Sequence, residues 1–257
     1  MKEKLLRKII KCLLDEQKYS IDVPNDYEIL KRLYKSLVNI RQPKEISNEV
    51  LRTEDEYLQL ELCDKIITDV DKLEYIEPNM ILWQGDITTL KCDVIVNAGN
   101  NDGLGCFNPN HICIDNVIHT NAGMRLRLEC NNILNGNKLN NGEIIVCNGY
   151  NLPCKKIITT VGPQVINEVT EEDEYELSKC YKNALEYAIK NNYKSIAFPS
   201  ISTGLFSFPI NKAKVIAYNS VREILNKYNS DIKVIFNVYS ESDYNEYKKL
   251  FESKRDN

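Results

Sequence analysis

The first residues alternate between apolar and charged positions at a helical period. Leu5, Leu6, Ile9, Ile10, Leu13 and Leu14 fall on one stripe, with Lys, Arg, Asp and Glu opposite, so the spacing predicts an amphipathic helix over residues 1 to about 17. A second helical pattern runs from Asp26 to Ile40 through Ile29, Leu30, Leu33, Leu37 and Val38, with Asn25 as the expected cap and Pro43 as its stop. A third starts at Ser47 and carries Val50, Leu51, Tyr57, Leu58, Leu60 and Leu62. Three such stripes must bury on one another or on the rest of the chain. Nothing in the first 75 residues has the look of a catalytic group, and a helical appendage that shapes or covers a site is the expected role.

Beyond Asp71 the period changes. Short apolar or β-branched runs occur at Met80 to Trp83, Val94 to Val96, Ile144 to Cys147, Ile157 to Val161, Ile196 to Phe198 and Val234 to Tyr239, each too short for a helix and bounded by turn residues. Between the later runs lie two amphipathic helices. One covers about Glu174 to Asn191, with Leu177, Tyr181, Leu185 and Ala188 inward. The other covers about Asn211 to Lys227, with Ile216, Ala217, Val221, Ile224 and Leu225 inward. Strands alternating with helices predict an α/β fold with a largely parallel or mixed sheet covered on both faces. The expected division is a helical unit over 1–75 and an α/β unit over 76–257.

Composition narrows the partners more than the fold. The 257 residues are 43% hydrophobic, and 33 basic against 37 acidic side chains give a formal charge of -4 with no basic stripe, which speaks against a nucleic-acid partner. The amino terminus is interrupted by charge every two or three positions, so it has no secretory apolar segment, and no run reaches the length of a membrane span. Nine cysteines without a disulfide-framework spacing suit a reducing compartment. A cytoplasmic monomer without membrane contact is the expectation.

Chemistry concentrates between Trp83 and Gly123, which holds both histidines and is dense in Asn, Asp and Gly. Cys106, His111 and Cys113 fall within eight residues, a spacing at which two thiolates and an imidazole can reach one tetrahedral ion. In open α/β sheets ligands lie beyond the carboxyl ends of the strands. That rule selects the loop after Val96, Asn97-Ala98-Gly99-Asn100-Asn101-Asp102-Gly103, and the loop after Phe198, which runs from Pro199 to Pro209. In the second, Gly204 beside Ser202 and Thr203 allows backbone N–H groups to approach an anion closely.

Taken in order, Trp83-Gln84-Gly85-Asp86-Ile87-Thr88, Val96-Asn97-Ala98-Gly99-Asn100, Ile118-His119-Thr120-Asn121-Ala122-Gly123, Val161-Gly162-Pro163 and Ile201-Ser202-Thr203-Gly204-Leu205-Phe206 resemble a macrodomain, the ADP-ribose-binding module. The likeness runs from about residue 78 to 257 and implies a three-layer α/β/α fold with a central mixed sheet. The segment carrying Cys106, His111 and Cys113 is similar to the zinc-containing subclass of microbial protein-ADP-ribose hydrolases, which also has a helical amino-terminal extension. The resemblance implies that Asp86 and the Ile87 backbone bind adenine, that Asn100 binds the proximal ribose, and that Ser202, Thr203, Gly204, Leu205 and Phe206 wrap the pyrophosphate. It implies an adenine contact for Tyr239 and places Asp115 near the scissile bond, so Asn100 and Asp115 are the expected catalytic residues. It also implies ADP-ribose and mono-ADP-ribosylated proteins as ligands, Zn²⁺ as cofactor, and a sirtuin-like ADP-ribosyltransferase as a companion. Two departures stand out: Gly99 where the family has alanine, and Thr159 and Thr160 where a histidine is frequent.

Three functions stay open at this level: a zinc-dependent hydrolase of mono-ADP-ribosylated side chains, a non-catalytic ADP-ribose reader with a structural zinc, and an O-acetyl-ADP-ribose deacetylase. Three roles stay open too. The cysteine and histidine cluster fits either an open site or one closed by His119 or Asp115. Asp115 fits either catalysis or the cap of a helix beginning near Asn116. His119 fits a hydrogen-bonded structural histidine at that helix's start, the expected role, or a ligand or base.

Overall fold

The computed structural model describes residues 1–255; positions 256 and 257 of the expected 76–257 unit lie outside them. Three helices come first, α1 (Lys2–Gln17), α2 (Tyr27–Ile40) and α3 (Asn48–Cys63). Seven strands follow, β1 (Thr68–Asp69), β2 (Met80–Gln84), β3 (Leu90–Ala98), β4 (Ile144–Asn148), β5 (Cys154–Thr160), β6 (Ser195–Phe198) and β7 (Lys233–Val238). Interleaved with them are α4 (Ile114–Ala122), α5 (Met124–Leu134), α6 (Glu171–Lys190), α7 (Ile210–Tyr228) and α8 (Glu241–Arg255). The main sheet runs β2-β7-β6-β3-β5-β4, with β1 pairing β3 outside that path. Only β4 is antiparallel to its neighbour, so the sheet is mixed, as expected.

Side-chain alternation sorts each strand onto two buried faces. Val94, Val96, Ile196, Phe198, Val234 and Phe236 point to one side, where they meet Leu177, Tyr181 and Leu185 of α6, Ala217 and Val221 of α7, and Tyr247 and Phe251 of α8. Ile95, Ile157, Ala197 and Ile235 point to the other, against Ile118 and Ala122 of α4 and Leu126 and Cys130 of α5. The result is three layers with the sheet in the middle. No helix among the described residues is long and apolar enough to cross a membrane.

The amino-terminal helices close a third apolar cluster, in which Leu6, Ile9, Leu13, Leu30, Leu37 and Leu58 are joined by Met124 from α5. Two local expectations change. The cap of α2 is Asp26, not Asn25: its carboxylate accepts the Ile29 N–H, the bond an N-cap supplies to the first turn. Ile29 lies 54% exposed, one position off the buried stripe. Ser47 caps α3 as expected.

A buried carboxylate joins α3 to the layers behind it. Glu54 accepts hydrogen bonds from the Tyr34 hydroxyl at 2.7 Å and from the Met124 N–H at 2.7 Å, and so caps α5 from another helix. Gly123, at φ 95°, makes the turn between α4 and α5, and a Cβ there would come within 3.0 Å of the Glu54 carboxylate. Burial raises Glu54 from 4.5 to about 7 against those two bonds.

Candidate functional site

The carboxyl ends of β3, β6 and β7 open into one cleft of about 320 Å³. Gly99, Asn100, Cys106, Cys113 and Asp115 line one side, the stretch from Ser200 to Phe206 lines another, and Asn237, Val238, Tyr239 and Asp243 line the third. Of the residues expected from sequence, Asn100, Asp115, Cys106, Cys113, Ser202, Thr203, Gly204, Leu205, Phe206 and Tyr239 all meet here. His111 is not in the lining, and neither are Asp86 and Ile87. The latter two follow β2, whose end is tied to that of β7 by the Gly85 N–H on the Val238 carbonyl and by the Asn237 amide on the Gly85 carbonyl, so they stand at the Tyr239 end. The Asp86 carboxylate accepts from the Thr88 N–H and hydroxyl at 2.9 and 2.7 Å, and Ile87 is buried. Tyr239 is 82% exposed at the rim, just past the end of β7.

At the opposite end, Asp115 enters from the first turn of α4 and is 5% exposed. Its Oδ1 accepts the Asn97 amide at 2.8 Å, and Asn97 also reaches the Thr159 hydroxyl at 3.3 Å. Burial raises its carboxyl to about 6, opposed by the Asn97 bond and the Arg127 charge. Asp115 is not the cap of α4. That position is Cys113, whose sulfur accepts the Asn116 N–H at 3.4 Å.

Asn100 sets the next loop: its Oδ1 accepts the Asp102 N–H at 3.0 Å and its amide donates to the Gly105 carbonyl at 3.4 Å. The two sequence departures turn out to be one adjustment. A Cβ on residue 99 would fall 2.9 Å from the Thr159 methyl, so threonine at 159 and glycine at 99 fill one space between them.

His119 differs from expectation. It lies in the last turn of α4, because the helix begins at Ile114, and neither ring nitrogen has a hydrogen-bond partner. Burial, aided by the Arg127 charge, lowers its pKa to about 3. A neutral ring 3.7 Å from Asp115 Oδ1 makes no ion pair. Gly105, at φ 84°, passes so close that a Cβ would sit 2.7 Å from the His119 ring.

Cys106, His111 and Cys113 offer three ligand atoms within 4.8 Å of one another, with Cys106 Sγ 3.6 Å from His111 Nδ1. Bond lengths of about 2.3 Å to sulfur and 2.0–2.1 Å to nitrogen give tetrahedral edges of about 3.5–3.8 Å, so this donor set fits one zinc-sized ion with little movement. Burial raises the Cys113 thiol above its ordinary range. Burial lowers the pKa of Lys35 of α2, opposed by the nearby Cys113 and Cys106.

The loop after β6 is braced from below. The Tyr181 hydroxyl donates to the Pro199 carbonyl at 3.3 Å and accepts the Ile201 N–H at 3.2 Å. Phe208 N–H donates to the Ser202 carbonyl at 3.0 Å, and Ser207 N–H to that of Gly204 at 3.0 Å. Gly162 lies so close beneath that a Cβ would fall 2.1 Å from Ser202 Oγ. Nothing stands within 4 Å of the Cβ position of Gly204. The loop thus presents backbone to open space and then enters α7 after Pro209, the arrangement that suits a diphosphate.

Ser200 falls in the expected loop after Phe198, whereas Asn237, Asp243 and Lys35 were not among the expected site residues. Asn237 follows the inward alternation of β7, which could have pointed to it. Asp243 and Lys35 sit on helices with no local pattern to mark them.

Known proteins share this arrangement. The macro domain model matches residues 96–217. A protein-ADP-ribose hydrolase of Staphylococcus aureus (strain MSSA476) is 42% identical over 233 residues, which cover 89% of this chain and 87% of the relative. Among solved structures, the Oceanobacillus iheyensis macrodomain with ADP superposes with a TM-score of 0.63 at 36% identity, covering 72% of this chain and 96% of that one. The Trypanosoma brucei macrodomain in complex with ADP-ribose gives a TM-score of 0.66 at 26% identity, with 84% and 94% covered. Ordered motifs, a mixed sheet between helical layers, a cleft at the strand ends and this level of identity lead to one conclusion: the chain belongs to the macrodomain family.

Proposed function

We propose that this protein removes mono-ADP-ribose from modified protein side chains and releases free ADP-ribose, with zinc held by Cys106, His111 and Cys113. The observation that carries the reading is convergence: Asn100, Asp115 and two of the three cluster donors, Cys106 and Cys113, line the same cleft as the loop from Ser200 to Phe206. The S. aureus relative named as a protein-ADP-ribose hydrolase supports the activity, and the Trypanosoma brucei macrodomain bound to ADP-ribose supports the ligand.

In this reading the adenine lies toward Asp86, Ile87 and Tyr239, the pyrophosphate lies against Ser202 to Phe206, and the proximal ribose reaches Asn100. Breaking the bond at its anomeric carbon, or attacking an ester carbonyl, requires a positioned water and a group that takes its proton. Asp115, fixed through one oxygen by Asn97, is that group, and Asn100 orients the ribose hydroxyls beside it. Zinc would supply a Lewis-acidic position for one oxygen, tempered by the charge of two thiolates. Residues 1–75 act as an accessory helical unit and 76–257 as the catalytic one. The substrates are mono-ADP-ribosylated cytoplasmic proteins, supplied by a transferase of the sirtuin-like class.

The test is release of ADP-ribose from an automodified protein, with and without a chelator. The proposal expects release that stops on chelation and returns with Zn²⁺. Binding of ADP-ribose with no release would leave a reader of the modification instead.

A further inference from the structure

The segment from Cys106 to Cys113 has no regular structure of its own, yet its three ligand atoms are gathered closely enough for one ion. What gathers them lies partly in another part of the chain. Asn39, near the end of α2, is 1% exposed. Its Oδ1 accepts the Asn110 N–H at 3.0 Å, and its amide donates to the Thr120 hydroxyl at 3.0 Å. That hydroxyl donates to Asn116 Oδ1 at 3.3 Å, and the Asn116 amide donates to the Asn108 carbonyl at 3.1 Å. Through Pro109 the path returns to Asn110, so the hydrogen bonds form a closed circuit between α2, α4 and the ligand segment.

Each donor is adjacent to this frame. His111 follows Asn110, which holds a left-handed backbone at φ 56° and bonds the Ser36 hydroxyl through its amide. Cys113 Sγ accepts the N–H of Asn116, itself a member of the circuit. Cys106 precedes Phe107, whose ring lies 4.3 Å from the Arg127 guanidinium. Arg127 in turn donates to the carbonyls of Val38, Asn39 and Arg41 at 2.7–2.9 Å. All three lines end on the last turn of α2.

The geometry points to Asn39 as a positioning residue for the Cys106, His111 and Cys113 cluster, holding the ligand segment in its binding shape from the amino-terminal helices. The inference rests on the metal reading proposed above and adds that the appendage is part of the metal site. Partners that orient metal ligands typically contribute about 10–100-fold in metal affinity.

The experiment is titration of the reduced, metal-free full chain with Zn²⁺ by competition and with Co²⁺ by its thiolate-to-metal absorption band, alongside ADP-ribose affinity. Asn39→Ala is expected to weaken Zn²⁺ by about 10–100-fold and to shift or diminish the cobalt band, while ADP-ribose affinity stays near that of wild type. Asn39→Asp keeps the acceptor for Asn110 but draws the Thr120 hydroxyl away from Asn116 and buries a charge, so it is expected to recover the affinity only in part. If Asn39→Ala fails to fold, Thr120→Val decides, since it cuts one arm of the circuit at nearly constant volume and should weaken Zn²⁺ measurably. Wild-type metal uptake matched by both Asn39→Ala and Thr120→Val would overturn this inference alone. No metal uptake by the wild type would overturn it together with the metal reading.

Discussion

The two loops that form the cleft are held in opposite ways. The loop after β6 is braced by the sandwich itself, through Tyr181 from α6 and Gly162 beyond β5. The loop after β3 is braced largely from outside, by Ser36, Asn39 and Arg127 between the amino-terminal helices and α4 and α5. The surface suited to a diphosphate is therefore built by the α/β/α layers, whereas the donor cluster leans on the amino-terminal helices.

The largest expected effect tests whether chemistry resides at the cluster end alone. Asp115→Ala should lower ADP-ribose release by about 10²–10⁴-fold, the range a positioned proton acceptor contributes. ADP-ribose affinity should change far less, and single-turnover rates with calorimetric binding would check both. A matching loss of affinity would mean that Asp115 helps hold the nucleotide and would blur the distinction between the two loops.

The next effect concerns the brace rather than the cleft. In the unfolded chain Glu54 loses its proton near 4.5, while in the folded chain burial keeps it protonated until about pH 7. The unfolded state therefore binds fewer protons across that window, so stability falls as pH rises from about 4.5 to about 7 and then levels off. This contribution is roughly 3 kcal/mol. Glu54→Gln should remove that part of the slope in denaturant midpoints measured from pH 4 to 8. An unchanged slope would place the pH dependence elsewhere.

A smaller effect probes the β3 side within the layers. Gly99→Ala puts a methyl against Thr159 and should cost about 1–3 kcal/mol, as overpacking does. Adding Thr159→Ser, which removes the opposing methyl, should recover most of it. Additive losses in a double-mutant cycle would show that the two positions are independent.

The sequence made the regular parts legible where one face of an element is buried. The stripes of α1 to α3 and the short apolar strands stand out because their periods differ. The α5 helix escaped that reading because it lies between the sheet and the amino-terminal helices, with Leu126 and Cys130 on one cluster and Met124 on another. The α8 helix is mostly charged, with Tyr247, Leu250 and Phe251 as its anchors. Cys106, His111 and Cys113 were legible because they are local. Asn39 and Lys35 were not, since only the docking of α2 brings them to a loop some 70 positions away. His119 departs from its expected place for a related reason: Cys113 starts the helix earlier than Asp115 would, and the histidine ends up buried at its far end.

In the proposed function the cluster serves turnover and the loop after β6 serves nucleotide binding. The most direct measurement is ADP-ribose affinity and ADP-ribose release on the same preparations of wild type and Cys106→Ser, with metal content determined for each. Cys106→Ser is expected to lose its metal and its release activity while binding ADP-ribose within about tenfold, or about 1.4 kcal/mol, of wild type. Full release from metal-free protein, or equal loss of binding and release, would contradict it.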